Sequence, residues 1–109
     1  MSGMKISDKP IDKISTLSAD FKVLALIYKA QLDGKKLYFN KIKRALDTIV
    51  SPVTISKSLD RLFDLGLLNA KWDKIGDGRW GRVYDVTGEG SGLAKKIYDF
   101  VKDELPDID

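Results

Sequence analysis

The sequence predicts one mostly helical α+β domain, in which a two-stranded hairpin sits between the third helix and the last. Three observations predict it. Apolar residues recur at helical spacing in separate stretches, the period switches to two over the "LLNAKWDKI" and "RVYDVT" segments, and paired start and stop residues bracket the helices. At 109 residues the chain has room for one modest core and no second one. Its 43% hydrophobic and 32% charged residues are globular proportions, which exclude a disordered or membrane-embedded chain.

Residues 1–17 read as an N-terminal extension to a domain over 18–109. Within it "SDKPIDKISTL" suits a short helix, with Ser7 or Asp8 as cap, Pro10 in the first turn, and Ile11, Ile14 and Leu17 as a narrow apolar stripe. "SADFKVLALIYKAQLDG" is the clearest helix. Ser18 is its N-cap, Asp20 complements the dipole and Gly34 stops it. Phe21, Leu24, Ile27, Tyr28 and Leu32, widened by Val23 and Leu26, make a stripe broad enough for a central core helix.

"KLYF" at 36–39 reads as a short strand, after which Asn40 caps a second helix with Ile42, Ala45, Leu46 and Ile49 on its apolar face. Ser51 as N-cap, Pro52 at the first helical position and Gly66 as stop then frame a third. Ile55, Leu59, Leu62 and Phe63 form its buried stripe; Thr54, Lys57, Ser58 and Arg61 are expected on the other side. In the hairpin Leu68, Ala70 and Trp72 alternate with polar residues, as do Tyr84 and Val86, and Trp72 is expected in the core. The closing helix, "GLAKKIYDFVKDEL", carries Leu93, Ile97, Phe100, Val101 and Leu105 and ends near Pro106.

Between the strands lies "GDGRWG", whose Gly76, Gly78 and Gly81 match a dinucleotide-binding fingerprint. That turn needs a strand before it and a helix directly after, so that a pyrophosphate meets a helix start. "RVYDVT" follows instead, so the glycines are read as hairpin residues, with Arg79 and Trp80 at the tip.

The chain has no cysteine and no histidine, which removes disulfides, thiolate metal sites and Cys/His nucleophilic pairs. Its acids lie on polar faces without an apolar setting to raise a pKa. No catalytic residue, metal site or cofactor is expected. No apolar run reaches membrane length and the start lacks a secretory apolar stretch, so a cytoplasmic protein is expected, with no membrane partner. The charge, +3 overall, is unevenly placed: five basic residues and no acid in "KKLYFNKIKR", five acids and one lysine in "DFVKDELPDID". A basic middle and an acidic tail suit one face turned to a polyanion.

Two short helices joined tightly, the second with a small-polar and basic outer face, suit a helix-turn-helix. Groove readers there must be small, or long and polar, which Thr54, Lys57 and Ser58 satisfy; Ser51 lies where a phosphate is favoured and Arg61 faces the backbone. Lys41, Lys43 and Arg44 would contact phosphates from the second helix, and Arg79, with Lys74 and Arg82, from the hairpin.

From Phe21 to Val101 the chain resembles the winged helix-turn-helix transcription regulators grouped with the MarR, ArsR and PadR families of bacteria and archaea. "VTISKSLDRLFDLGLL" is similar to their recognition helix, with Thr54, Ile55, Ser56, Leu59, Leu62, Gly66, Leu67 and Leu68 at the pattern positions. "YDVTGEGSGL" is similar to the end of their wing, through Tyr84, Val86, Thr87, Gly90 and Leu93. The turn between Leu46 and Thr54 is about two residues longer than the family's and has no glycine, so helix two either runs on to Ile49 or meets helix three at another angle. The resemblance implies a sequence-specific regulator of double-stranded DNA, working as a homodimer; any effector is unknown. The alternative is a winged-helix module for protein–protein contact in a larger transcription or processing complex, using the acidic tail and Trp80.

Overall fold

A serine ahead of an apolar run starts the first long helix. The computed structural model describes residues 12–108. In it α1 spans Ala19–Leu32, and the Ser18 hydroxyl accepts the Phe21 amide hydrogen at 3.2 Å. The helix closes where Gly34 takes φ +68° and the Lys35 amide reaches back to the Ala30 carbonyl at 2.8 Å. Five consecutive residues, Val23 to Ile27, are fully buried, which only a helix covered on all sides allows. Burying side chains such as Leu24, Leu26 and Ile27 stabilises by ~1.5–3 kcal/mol each relative to exposure. Phe21 and Leu32, at the two ends, fall outside that cover and are 37% and 58% exposed.

The expected strand over 36–39 does not form. One backbone–backbone hydrogen bond joins that stretch to the hairpin, from the Tyr84 amide to the Leu37 carbonyl at 2.9 Å, where a strand needs a ladder. Helix α2 covers Phe39–Ala45 with Tyr38 as N-cap, so Asn40 lies inside it rather than capping it. Ile42 and Leu46 are fully buried. The helix does not run on to Ile49, which is 42% exposed; Thr48 takes φ +68° and reverses the chain, bringing Val50 to the core. The residue that bends this turn is thus a threonine, in a conformation that glycine adopts most readily.

Helix α3 spans Pro52–Asp64. Its N-cap Ser51 accepts the Thr54 amide hydrogen at 3.2 Å. Ile55, Leu59 and Leu62 are buried as expected, but Phe63 is 46% exposed and Ser58 takes the inward place. Gly66, at φ +78°, ends the helix and lets the Leu67 amide reach the Leu62 carbonyl at 2.9 Å.

Strands β1 (Leu68–Gly76) and β2 (Arg79–Val86) form an antiparallel hairpin, pairing Leu68 with Val86, Trp72 with Arg82 and Lys74 with Trp80. The register breaks at Ile75, between Lys74 and Gly76, where a bulge accommodates the turn. The tip is Asp77–Gly78, and Gly78 at φ +69° makes it possible. Arg79 and Trp80 lie in β2 rather than at the tip, and Gly76 and Gly81 do not need a positive φ.

Thr87 caps α4 (Gly88–Val101), accepting the Gly90 amide hydrogen at 2.9 Å and donating to the Gly66 carbonyl at 2.7 Å. One side chain therefore joins the end of α3, the end of the hairpin and the start of α4. Ala94, Ile97 and Val101 are buried on α1, whereas Leu93 and Phe100 are 38% and 46% exposed. The helix ends at Val101, ahead of Pro106.

A short 3-10 turn, Ile14–Thr16, stands before α1; the Ser7, Asp8, Pro10 and Ile11 positions of the expected N-terminal helix lie outside the described residues. The Lys13 and Ile14 amides donate to the Glu104 carboxylate at 3.2 and 2.9 Å. Beyond α4 the chain lies along α1, with Leu105 and Ile108 buried and the Lys29 and Lys35 ammonium groups on the Pro106 and Ile108 carbonyls.

Candidate nucleic-acid interface

The outer side of α3 follows from its winding at ~100° per residue. Ile55, Ser58, Leu59 and Leu62 define the inner arc. Opposite them lie Val53, Ser56, Lys57, Asp60 and Asp64, all exposed, with Val53 at 65%. The expected reading face is therefore turned by part of a revolution.

Of its four members, Lys57 faces solvent. Thr54 is half-buried, with its hydroxyl oxygen 2.9 Å from the Ser51 hydroxyl that donates to it. Ser58 is corrected outright: it is fully buried, three residues after Ile55 and four before Leu62, and no base edge can reach it there. Arg61 is held elsewhere, its Nε and Nη2 donating to the two Asp20 carboxylate oxygens at 2.9 and 2.7 Å. This fork ties α3 to the first turn of α1. The Arg61 hydrogen bonds hold the Asp20 carboxyl below the ordinary carboxylate range against a smaller opposing effect of burial, and the same contact raises Arg61.

Val53 and Ser56 are exposed on this outer side, where the sequence argument did not place them. Both stand on the face with Lys57, three and four residues apart along the helix. The signal was present, since centring the wheel on Ile55, Leu59 and Leu62 puts Ser58 inside and Val53 outside.

Ser51 is exposed at the positive end of α3. Beside it, Lys43 and Arg44 join Asp47 and Pro52 around an open concavity of about 520 Å³ between the end of α2 and the start of α3. Lys41 is half-buried, its ammonium 5.5 Å from the centre of the Tyr38 ring. These cations, expected on phosphates, thus flank the start of α3 on one side.

The hairpin supplies another cationic group. Lys74, Arg79 and Arg82 are exposed, and the Arg79 guanidinium lies over Gly76, where an added Cβ would meet it at 3.2 Å. Arg82 lies 5.7 Å from the centre of the Tyr84 ring. Trp72, expected in the core, is 67% exposed because its face of the hairpin, closed at Leu68 and Val86, is uncovered by that point. Trp80 is 54% exposed.

The acidic tail is not a loose interaction arm, since its last described residues are packed on α1 by Leu105 and Ile108. Among the described residues, no three His, Cys, Asp or Glu side chains gather to hold a metal ion, and no helix is long and apolar enough to cross a membrane.

No protein-family model matches the chain, and no curated protein sequence matches it significantly. Solved structures do. The chain is similar to the circadian clock associated protein Pex from Anabaena, at 20% identity over 80% of this chain and 79% of that one, with a TM-score of 0.61. It is similar to a PadR family transcription regulator from hypervirulent Clostridium difficile R20291, at 17% identity over 78% of this chain and 91% of that one, with a TM-score of 0.58. A MarR family transcriptional regulator from Silicibacter pomeroyi gives 23% identity and a TM-score of 0.50 over 83% of this chain and 56% of that one. The fold is the winged helix-turn-helix, with α2 and α3 as its two helices and β1–β2 as its wing.

Proposed function

We propose that this protein is a transcription regulator that binds double-stranded DNA sequence-specifically, with α3 in the major groove and the wing against the backbone or minor groove. The observation that carries the reading is the outer face of α3. A capped helix presents Val53, Ser56 and Lys57 over its first two turns, where a groove-bound helix meets base edges. Its fold, shared with two solved transcription regulators, supports the same reading.

Each group has a chemical task. Lys57 suits the acceptors of a guanine edge, Val53 the methyl of thymine, and Ser56 either donor or acceptor. Thr54 stays at the margin of the face, and Asp60 repels phosphate, so the helix must enter with its N-terminal half foremost. Ser51 and the adjoining backbone amides favour one phosphate, while Lys41, Lys43 and Arg44 position the backbone from α2. Lys74, Arg79 and Arg82 do so from the wing. Ser58 has no part, and Arg61 reaches a phosphate only when its fork to Asp20 opens.

A homodimer completes the proposal. Leu93 and Phe100 are one heptad apart on the exposed side of α4, and a twofold mate there would set two α3 helices about one duplex turn (~34 Å) apart on a palindromic site. The test is fluorescence anisotropy of the protein with DNA from upstream of its own gene and with a scrambled duplex, at two salt concentrations. Affinity is expected to fall by ~0.9 log units per log unit of salt for each phosphate neutralised, and to favour the native duplex. A flat salt response would defeat the reading.

A further inference from the structure

The wing has a face with two large rings to which the duplex reading gives no role. Even-numbered strand residues share it, and the register sets Trp72 opposite Arg82 and Lys74 opposite Trp80. Near the body the face is closed, with Leu68 and Val86 only 2% and 9% exposed; toward the tip it opens onto the two indoles, 67% and 54% exposed. The hairpin's acids are all elsewhere. Asp73 and Asp85 fall on the opposite face, where the Asp73 carboxylate lies 3.5 Å from the Lys36 ammonium, and Asp77 is in the turn.

The combination is two uncovered large aromatic rings and two cations, with no anion among them. Isolated exposed apolar residues are ordinary, but paired tryptophans interleaved with cations are a composition that binds bases and phosphates together. In an antiparallel pair Trp72 and Trp80 are diagonal neighbours, roughly 7–8 Å apart at the backbone, enough for each ring to hold its own base. A protein partner with an apolar surface would have to bury Lys74 and Arg82 without a counter-charge, whereas a nucleic-acid strand supplies one at every nucleotide.

We propose that this face of the wing is a stacking platform for single-stranded DNA, with Trp72 and Trp80 taking unpaired bases and Lys74 and Arg82 the phosphates between them. Paired bases hide their flat faces in the duplex stack, so the indoles select unpaired strand. Rings and cations read bases and phosphates rather than the sugar, so the choice of DNA is taken from the duplex reading above. The stacking shares Lys74 and Arg82 with the duplex reading but does not rest on it, because the indoles have no role there.

Trp72 and Trp80 are the only tryptophans in the chain, so intrinsic emission reports on this face alone. Titrating the full chain with a short oligothymidylate at low salt is expected to quench that emission and to raise the anisotropy of a labelled strand. Trp72→Ala and Trp80→Ala, both at exposed positions that the core does not need, are each expected to weaken single-strand binding about tenfold. Lys57→Ala is expected to weaken duplex binding and leave this titration unchanged, which keeps failure of the two readings separate. Unquenched emission would overturn the proposal, as would equal affinity for an abasic strand of the same length, since charge alone would then account for binding. Markedly tighter binding of the matching RNA would overturn the assignment to DNA. An emission shift that grows with protein concentration, without nucleic acid, would give the face to a second copy of the chain and overturn the proposal too.

Discussion

Replacing Gly90 by alanine tests how the wing is joined to the helical body. A methyl group at Gly90 would stand 2.6 Å from the Leu67 carbonyl oxygen and 3.1 Å from its Cα. Those are backbone atoms, so no side chain can swing aside. Leu67 is also fixed from both directions, its carbonyl accepting from the Thr87 amide at 3.0 Å and its amide donating to Leu62 at 2.9 Å. To admit the methyl, α4 and the end of α3 must separate by the better part of an ångström. Overpacking of this kind costs about 1–3 kcal/mol, and losing the Thr87–Leu67 hydrogen bond adds ~1 kcal/mol. Alanine's better helix propensity offsets roughly 0.5–1 kcal/mol of that. The expected net loss is about 1–3 kcal/mol, or a fall in Tm of roughly 5–20 °C for a domain of this size. Gly92, two residues on, is exposed and has nothing within 4 Å of its added Cβ. Gly92→Ala should raise Tm by about 2–8 °C on the propensity gain alone. Far-UV circular dichroism melts of the two variants decide it. A Gly90→Ala protein that melts at or above the unsubstituted one would refute the argument from close approach.

The remaining predictions concern α3 and the carboxylates. Asp20→Asn releases the Arg61 guanidinium from its fork, so duplex binding should tighten for all sequences alike and the salt slope should steepen by ~0.9, as read by anisotropy. An unchanged slope would mean that Arg61 reaches no phosphate even when freed. Ser58→Ala should leave discrimination between native and scrambled duplex as it is, because Ser58 is buried, whereas Ser56→Ala and Lys57→Ala should reduce it; the opposite ranking would place the reading face elsewhere. Asp20, held down by Arg61, Asp73 by the Lys74 amide, Asp99 by Lys95 and Asp103 by Lys13 all have folded pKa values below the ordinary 3.8. Their contribution is present above the unfolded pKa and lost as pH falls through the folded values, so Tm should hold above about pH 5 and drop below about pH 4. A Tm that rises on acidification over that range would contradict those contacts.

Much of the architecture was legible because its signals are local. Ser18 before α1 and Ser51–Pro52 before α3 act within one helical turn, and the change to period two marks the hairpin directly. What escaped depended on distant neighbours. "KLYF" has strand-forming residues, but strand formation needs a partner edge, and the hairpin offers it a single backbone–backbone bond. Trp72 has the parity of a core residue, and parity names a face without saying how far along the strand that face is covered. Arg61 reads as a phosphate ligand until Asp20, forty-one positions away, is brought beside it. At Ser58 chemistry misled where geometry did not, since a small hydroxyl was read as outward although its angular position was inward.

Considered as a mechanical object, the molecule fastens the start of its described chain to the stretch just after α4. The Lys13 and Ile14 amides hang on Glu104, while the stretch to Ile108 runs back along α1 under the lysines that clasp its carbonyls. A pull applied at both flanks would load that clasp and the seam between α1 and α4 before anything else. Helix α3 and the wing meet that seam through the Arg61 fork on Asp20 and the Thr87 hydroxyl, so a load that opened the clasp would reach the surfaces proposed for DNA by those two contacts.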